Sequence, residues 1–182
     1  MTGIGFFKRL LGGVGANEHH EEPSPQASLG TRILVVDDSA TIRAVLGRML
    51  DQDGYAVQKA VDGESAIELA RTEQPALIFL DIVLPGINGF AVLRTLRHDP
   101  LTQHIPIVMI SGNQQATEQF YVQRFGADDF IKKPFGRAEV SACIQQLVRS
   151  GRLPARSAVR EAPLPVVVAD VVDVEAMPSI AA

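Results

Sequence analysis

The stretch Ile33-Leu34-Val35-Val36-Asp37-Asp38-Ser39 decides the fold. Four apolar residues in a row, with no polar alternation, read as a short strand covered on both faces, as in parallel sheets. The two aspartates end that strand. Ser39 then supplies a side-chain oxygen of the kind that caps a helix. Ile42, Val45, Leu46, Met49 and Leu50 follow at the i, i+3, i+4, i+7, i+8 spacing of an amphipathic helix, and Gly54 stops it. A buried strand running straight into a helix is half of a crossover unit.

The same alternation continues downstream. Tyr55-Ala56-Val57 begins a second strand, Asp62-Gly63 is a turn, and Glu64 to Gln74 reads as a helix ended by Pro75. Leu77-Ile78-Phe79-Leu80 is a third strand, followed by a loop with Pro85, Gly86 and Gly89 and a helix from Phe90 to Arg97. Ile107-Val108-Met109-Ile110 is a fourth strand. A polar helix is predicted from Gln114 to Phe125 and closed by Gly126. Phe130-Ile131 is the fifth strand, and Val140, Cys143, Ile144, Leu147 and Val148 mark a last amphipathic helix. Five strands alternating with five helices predict an α/β fold, a five-stranded parallel doubly wound sheet.

Proline and glycine set the boundaries. Residues 1–30 hold six glycines and two prolines, residues 151–182 hold four prolines, and the five prolines between sit where elements end. The expected folded unit is therefore 31–150, flanked by flexible tails at 1–30 and 151–182. The 182-residue chain is 46% hydrophobic and 21% charged, which is ordinary globular usage. Its one cysteine, Cys143, excludes a disulfide framework and any multi-cysteine metal site. Seventeen basic against 21 acidic residues give a net charge of −4, so direct DNA binding is not expected. No apolar run reaches a membrane-spanning length. Lys8-Arg9 breaks the apolar N-terminus without a cleavage pattern, so the expected location is the cytoplasm.

A doubly wound sheet binds ligands at the carboxyl ends of its strands. Asp37-Asp38 ends the first strand, Asp81 the third, Ser111 the fourth and Lys133-Pro134 the fifth. A lone aspartate at a strand end is ordinarily a cap or turn residue. Three acids, a hydroxyl and a lysine meeting at one sheet edge are something else. Carboxylates about 4 Å apart repel by roughly 4 kcal/mol per pair at an effective dielectric near 20. Hard oxygens with room for water suit Mg²⁺. Lys133 and Ser111 suit phosphoryl oxygens.

These residues carry a resemblance. Val-Val-Asp37-Asp38-Ser, Leu-Asp81-Ile-Val-Leu-Pro85-Gly86, Ile-Ser111-Gly112 and Gly126-Ala-Asp128-Asp129-Phe130-Ile-Lys132-Lys133-Pro134-Phe135 resemble the receiver domain of bacterial response regulators, a flavodoxin-like fold, over about two-thirds of the chain. Pro85 to Phe90 and Asp99 to Pro106 resemble stand-alone receivers of the chemotaxis and twitching-motility kind. The resemblance implies that Asp81 accepts a phosphoryl group from a histidine kinase or phosphotransfer protein. It implies that Asp37, Asp38, Asp81 and the backbone carbonyl of Val83 hold Mg²⁺. Ser111 and Lys133 would then contact the phosphoryl group, Phe130 would be the aromatic switch, and the Lys133–Pro134 bond would be cis. Two positions depart from the commoner pattern. The switch residue is often tyrosine, so the phenol is lost at Phe130. The Val83 side chain cannot hydrogen-bond an attacking water, which implies a long-lived phosphorylated form.

Signal output is expected through the face formed by the predicted helix at 114–125, the fifth strand and the last helix. Phe120, Tyr121, Val122 and Phe125 there exceed one buried stripe, as a docking patch for a partner or a second copy would. Two rival functions remain. A transcription-type regulator would need a partner, because 32 Pro/Val-rich residues cannot house a recognition helix. A small phosphatase-like enzyme would want a second carboxylate two residues after its nucleophile, where Val83 stands. Cys143 reads as core, His19-His20-Glu21-Glu22 as solvated linker, and Gly13-Val14-Gly15 follows no strand. Ile4, Phe6, Phe7, Leu10, Leu11 and Val14 around Lys8-Arg9 suit a weak contact of residues 4–14 with a membrane surface or a partner groove. The C-terminal Val166-Val167-Val168 and Val171-Val172 are strand-prone, with Asp170 and Asp173 as gatekeepers.

Overall fold

A computed structural model describes residues 26–112 and 125–156. The strands are β1 (Arg32–Val36), β2 (Ala56–Ala60), β3 (Leu77–Asp81), β4 (Ile107–Ser111) and β5 (Asp129–Lys132). The helices are α1 (Ala40–Gln52), α2 (Gly63–Glu73), α3 (Gly89–His98) and α4 (Arg137–Arg149). The helix expected at 114–125 lies outside the described residues, apart from Phe125 in a turn. The strands form one parallel sheet in the order β2-β1-β3-β4-β5, so the five-stranded doubly wound architecture is as the sequence predicts.

The order follows from where the apolar residues fall. β1, β3 and β4 lie inside the sheet, and after Arg32 every one of their residues is buried. β2, with Gln58 and Lys59, takes an edge and is half-exposed. Side chains alternate between two layers. Ile33, Val35, Leu77 and Phe79 pack with Leu46, Leu50, Val140 and Ile144 of α1 and α4. Leu34, Val36, Ile78 and Leu80 pack with Ala66, Val92 and Leu96 of α2 and α3. Cys143 is buried in the first layer, and burial above all pushes its thiol pKa up.

The helices start where the sequence offers caps. Ser39, Asp62 and Asn88 accept backbone N–H bonds from Ile42, Ser65 and Ala91 at 3.4, 2.8 and 2.9 Å. Asp128 joins four elements. Its carboxylate accepts from Ile107 N at 2.8 Å and pairs with Arg97 of α3 and with Arg152 beyond α4.

Packing runs past the expected boundaries at 31 and 150. Ala27 and Leu153 are buried, and Ala27 forms an antiparallel bridge with Ala155. Arg156 N donates to Gln26 O at 2.6 Å and Arg156 Nη2 to Asp53 O at 2.8 Å. This clasp was not legible in the sequence, because single bridge partners more than a hundred residues apart carry no periodicity.

One glycine secures the junction after β3. A Cβ on Gly89 would lie 2.1 Å from the Asp81 carbonyl oxygen and 2.9 Å from Ile82 Cα. Both are backbone atoms and cannot swing aside. Gly89→Ala should cost about 2 kcal/mol or more in urea unfolding. It should also weaken divalent-cation binding, because the strained backbone carries Asp81.

Candidate functional site: an acidic pocket closed by a lysine

Parallel strands in register bring their carboxyl ends to one edge. The winding of the chain reverses beside β1, with β2 on one side of it and β3 on the other. Asp37 and Asp38 follow β1, Asp81 ends β3, Ser111 ends β4, and Lys133 follows β5. All five candidate residues therefore lie at the same end of the sheet. One carboxylate oxygen from each of Asp37, Asp38 and Asp81 lies within 4.8 Å of the other two. Asp37 and Asp81 are buried, and Asp38 is exposed.

Lys133 closes the cluster. Its Nζ lies 2.8 Å from Asp81 Oδ2 and 2.7 Å from Asp37 Oδ2. Lys133 N also donates to Ser111 O at 2.7 Å, tying the lysine's segment to the end of β4. Ser111 is fully buried. The Lys133–Pro134 bond is cis. Val83 is 69% exposed beside the pocket, and its N–H points to Asp81 Oδ1 at 3.4 Å. Phe130 is half-buried against the α2–α3 layer.

Charge sets the behaviour of the site. Burial pushes the Asp81 pKa up, the Asp37 charge adds to this, and the hydrogen bond and charge of Lys133 only partly offset it. Burial works against the Lys133 ammonium too. Its contacts with Asp37 and Asp81 outweigh that and hold its pKa above the usual lysine value. Asp37 Oδ1 is committed to the Ser39 N–H at 2.8 Å. Asp37 Oδ2 is buried without an aligned hydrogen-bond donor, although the ammonium lies beside it. An anionic oxygen with spare lone pairs, next to two more carboxylates, fits a small hard divalent cation.

Two supporting residues escaped the sequence reading. Arg43 Nη1 donates to the Asp37 carbonyl at 2.6 Å, clamping the loop that carries both aspartates. Gly89 admits the Asp81 backbone, as above. Arg43 follows Asp37 by six residues, one turn into α1, and that spacing was the signal available.

Comparison with known proteins agrees with this geometry. The response regulator receiver domain matches residues 33–145. The chain belongs to that family. It is 42% identical to protein PilH of Pseudomonas aeruginosa over 103 residues, 57% of this chain and 85% of PilH. It is 39% identical over 143 residues to SphR of Synechococcus elongatus, a transcriptional regulatory protein of alkaline phosphatase synthesis. That match covers 73% of this receiver chain but only 55% of SphR, so the chain spans about half the length of several curated relatives. Among solved structures, the chemotaxis response regulator CheY4 of Vibrio cholerae superposes with a TM-score of 0.61 at 26% identity, covering 64% of this chain and 98% of CheY4. The receiver domain of the sensor histidine kinase PA1611 of P. aeruginosa has a TM-score of 0.61 at 28% identity, covering 66% and 98%, and holds magnesium in its active-site cleft. Receiver domains bind Mg²⁺ at an acidic pocket, and this receiver has such a pocket.

The raised Asp81 pKa has a thermodynamic consequence. The folded state holds that proton more tightly than the unfolded chain does. The stability this contributes is full below the ordinary carboxylate pKa and is lost as pH rises through the higher folded value. Near neutral pH the ionised Asp81 therefore opposes folding. Asp81→Asn in chelator should raise the Tm at neutral pH. The gain should vanish in acid, and thermal scans from pH 3 to 8 check it.

Proposed function

We propose that the protein is the phosphoacceptor of a two-component phosphorelay, with Asp81 as the residue phosphorylated. The observation that carries this reading is the Lys133 ammonium 2.8 Å from Asp81 Oδ2, inside a pocket shared with Asp37 and Asp38. In the forward step an Asp81 carboxylate oxygen bonds to the phosphorus of a phosphohistidine as the P–N bond breaks. The imidazole nitrogen keeps that electron pair and takes a proton from solvent. Asp81 becomes an acyl phosphate, and water later attacks phosphorus to return carboxylate and inorganic phosphate.

Phosphoryl transfer needs alignment and charge compensation more than covalent help. Asp37, Asp38, Asp81 and the Val83 carbonyl are the groups that would hold Mg²⁺, which when bound offsets charge on the phosphoryl oxygens. Lys133 offers the other positive charge, already in contact with the nucleophile. Asp81 must be ionised to attack. Its raised pKa means that the transfer rate falls as the pH drops toward that value, sooner than for an ordinary aspartate.

The acyl phosphate brings new acceptor oxygens to the end of β4. Ser111 donates to one of them, and Phe130, paired with Met109 on β4, repacks in response. With phenylalanine at this position the signal is carried by ring packing. Output runs through β5, α4 and the segment between β4 and β5, by contact with a downstream protein or a second copy. A groove of about 510 Å³ lies between β5 and α4, lined by Phe130, Lys132, Cys143 and Gln146 among others. The likenesses to PilH and CheY4 support a place in cytoplasmic motility control, of twitching or chemotaxis type.

Incubation with a phosphorylated histidine kinase and Mg²⁺ should add one phosphate per chain by intact mass. Asp81→Asn should add none, and Lys133→Met should slow the addition about 10²-fold. Phosphate on Asp81→Asn at the wild-type rate would overturn the assignment. Purified phosphoprotein should outlast a Val83→Asn variant about tenfold, equal to ~1.4 kcal/mol of barrier, because a side-chain amide can orient the attacking water. Phosphate release followed over time checks this.

A further inference from the structure

Arg43 grips the backbone between the two neighbouring aspartates without touching their carboxylates. We infer that Arg43 is a positioning residue for the divalent cation: by holding the Asp37 carbonyl it aims the Asp38 carboxylate into the pocket. This rests on the reading of Asp37, Asp38 and Asp81 as the groups that would hold Mg²⁺, and it does not depend on phosphoryl transfer.

The two aspartates are placed by different means. Asp37 is fully buried, and each of its polar atoms has a near partner. Its N–H donates to Ala60 O, which ends β2, at 3.3 Å. Oδ1 accepts from Ser39 N at 2.8 Å, and Oδ2 lies 2.7 Å from Lys133 Nζ. The carbonyl accepts from Arg43 Nη1 at 2.6 Å. Asp38 is exposed, and its carboxylate joins no hydrogen bond or ion pair among the described residues. Yet one of its oxygens lies within 4.8 Å of a carboxylate oxygen from Asp37 and another from Asp81. Like charges that close repel. Side-chain packing does not hold Asp38 against that repulsion, so the backbone must.

The backbone is fixed on both sides of Asp38. The Asp37 carbonyl and the Asp38 N–H belong to one planar peptide group. Holding the carbonyl oxygen holds that plane, and with it the N–Cα bond from which Asp38 projects. On the other side, Ser39 is committed to the start of α1. Its hydroxyl accepts from Ile42 N at 3.4 Å and its carbonyl from Arg43 N at 3.1 Å. Arg43 is half-buried one turn into α1, so the helix that Ser39 caps also carries the clamp. The donor is a guanidinium, which makes the bond charge-assisted and directional. Among the described residues Arg43 forms no ion pair with Asp37, Asp38 or Asp81.

Positioning and bare charge predict opposite signs. A guanidinium near a cation site repels the cation, so if charge alone mattered its removal would tighten Mg²⁺ binding. Removing a contact that orients a ligand loosens the site, commonly by about ten- to a hundredfold.

The test is Mg²⁺ titration of the full chain, read by backbone amide shifts in NMR, at a temperature where circular dichroism shows each variant folded. Arg43→Met should weaken Mg²⁺ binding about tenfold. Arg43→Gln, also neutral and shorter in reach, should weaken it in the same direction, and decides the sign if the methionine variant does not fold. Asp38→Glu keeps the charge on a longer stem that can re-aim. In that background Arg43→Met should cost about threefold or less, because the two positions act through one another. Unchanged or tighter binding by both Arg43 variants would overturn the inference. A loss in the Asp38→Glu background equal to that in the wild type would overturn action through Asp38. A wild type that binds no Mg²⁺ would overturn the cation reading and this inference together.

Discussion

Three carboxylates crowd one end of the sheet, with Lys133 the one ammonium in contact with them among the described residues, and much of the molecule serves that imbalance. Asp37 and Asp81 are buried and ion-paired to Lys133 at 2.7 and 2.8 Å. One amine cannot neutralise three acids, so the pocket keeps a standing demand for further positive charge. Burial makes that demand stronger, because charges are weakly screened there. The cost is visible in the raised pKa of Asp81. A stable fold tolerates such a site when the core beneath it is well packed. Here β1, β3 and β4 give almost every residue to that core.

The same imbalance explains the supporting residues. Arg43 holds the Asp37 carbonyl, Ser39 N–H holds one Asp37 oxygen, and Gly89 lets α3 start against the Asp81 backbone. Each fixes the direction of a carboxylate without neutralising it. Reactive oxygens stay reactive while their positions are set. Receiver chemistry asks for this, since alignment and charge compensation supply most of the rate.

The two ends of the sheet differ in charge. The carboxyl ends gather acids because the strands stop there and loops with Asp37, Asp38 and Asp81 begin. The amino ends gather Arg32, Arg149, Arg152 and Arg156, and the Ala27–Ala155 clasp joins both terminal segments to that end.

The sequence by itself determined the alternation of elements, the parallel sheet and the identity of the pocket residues. Those features are written locally: apolar runs such as Ile33 to Val36, caps such as Ser39, and acids placed directly after strands. It also carried the family resemblance, since Asp37-Asp38, Asp81 and Lys133-Pro134 recur in fixed contexts. Only the tertiary structure decided that one amine contacts both Asp37 and Asp81 and that Ala27 pairs with Ala155. Those contacts depend on how segments dozens of residues apart are set against one another in space. Linear periodicity does not encode such placement, because it records which face a residue occupies and not which side chain it meets.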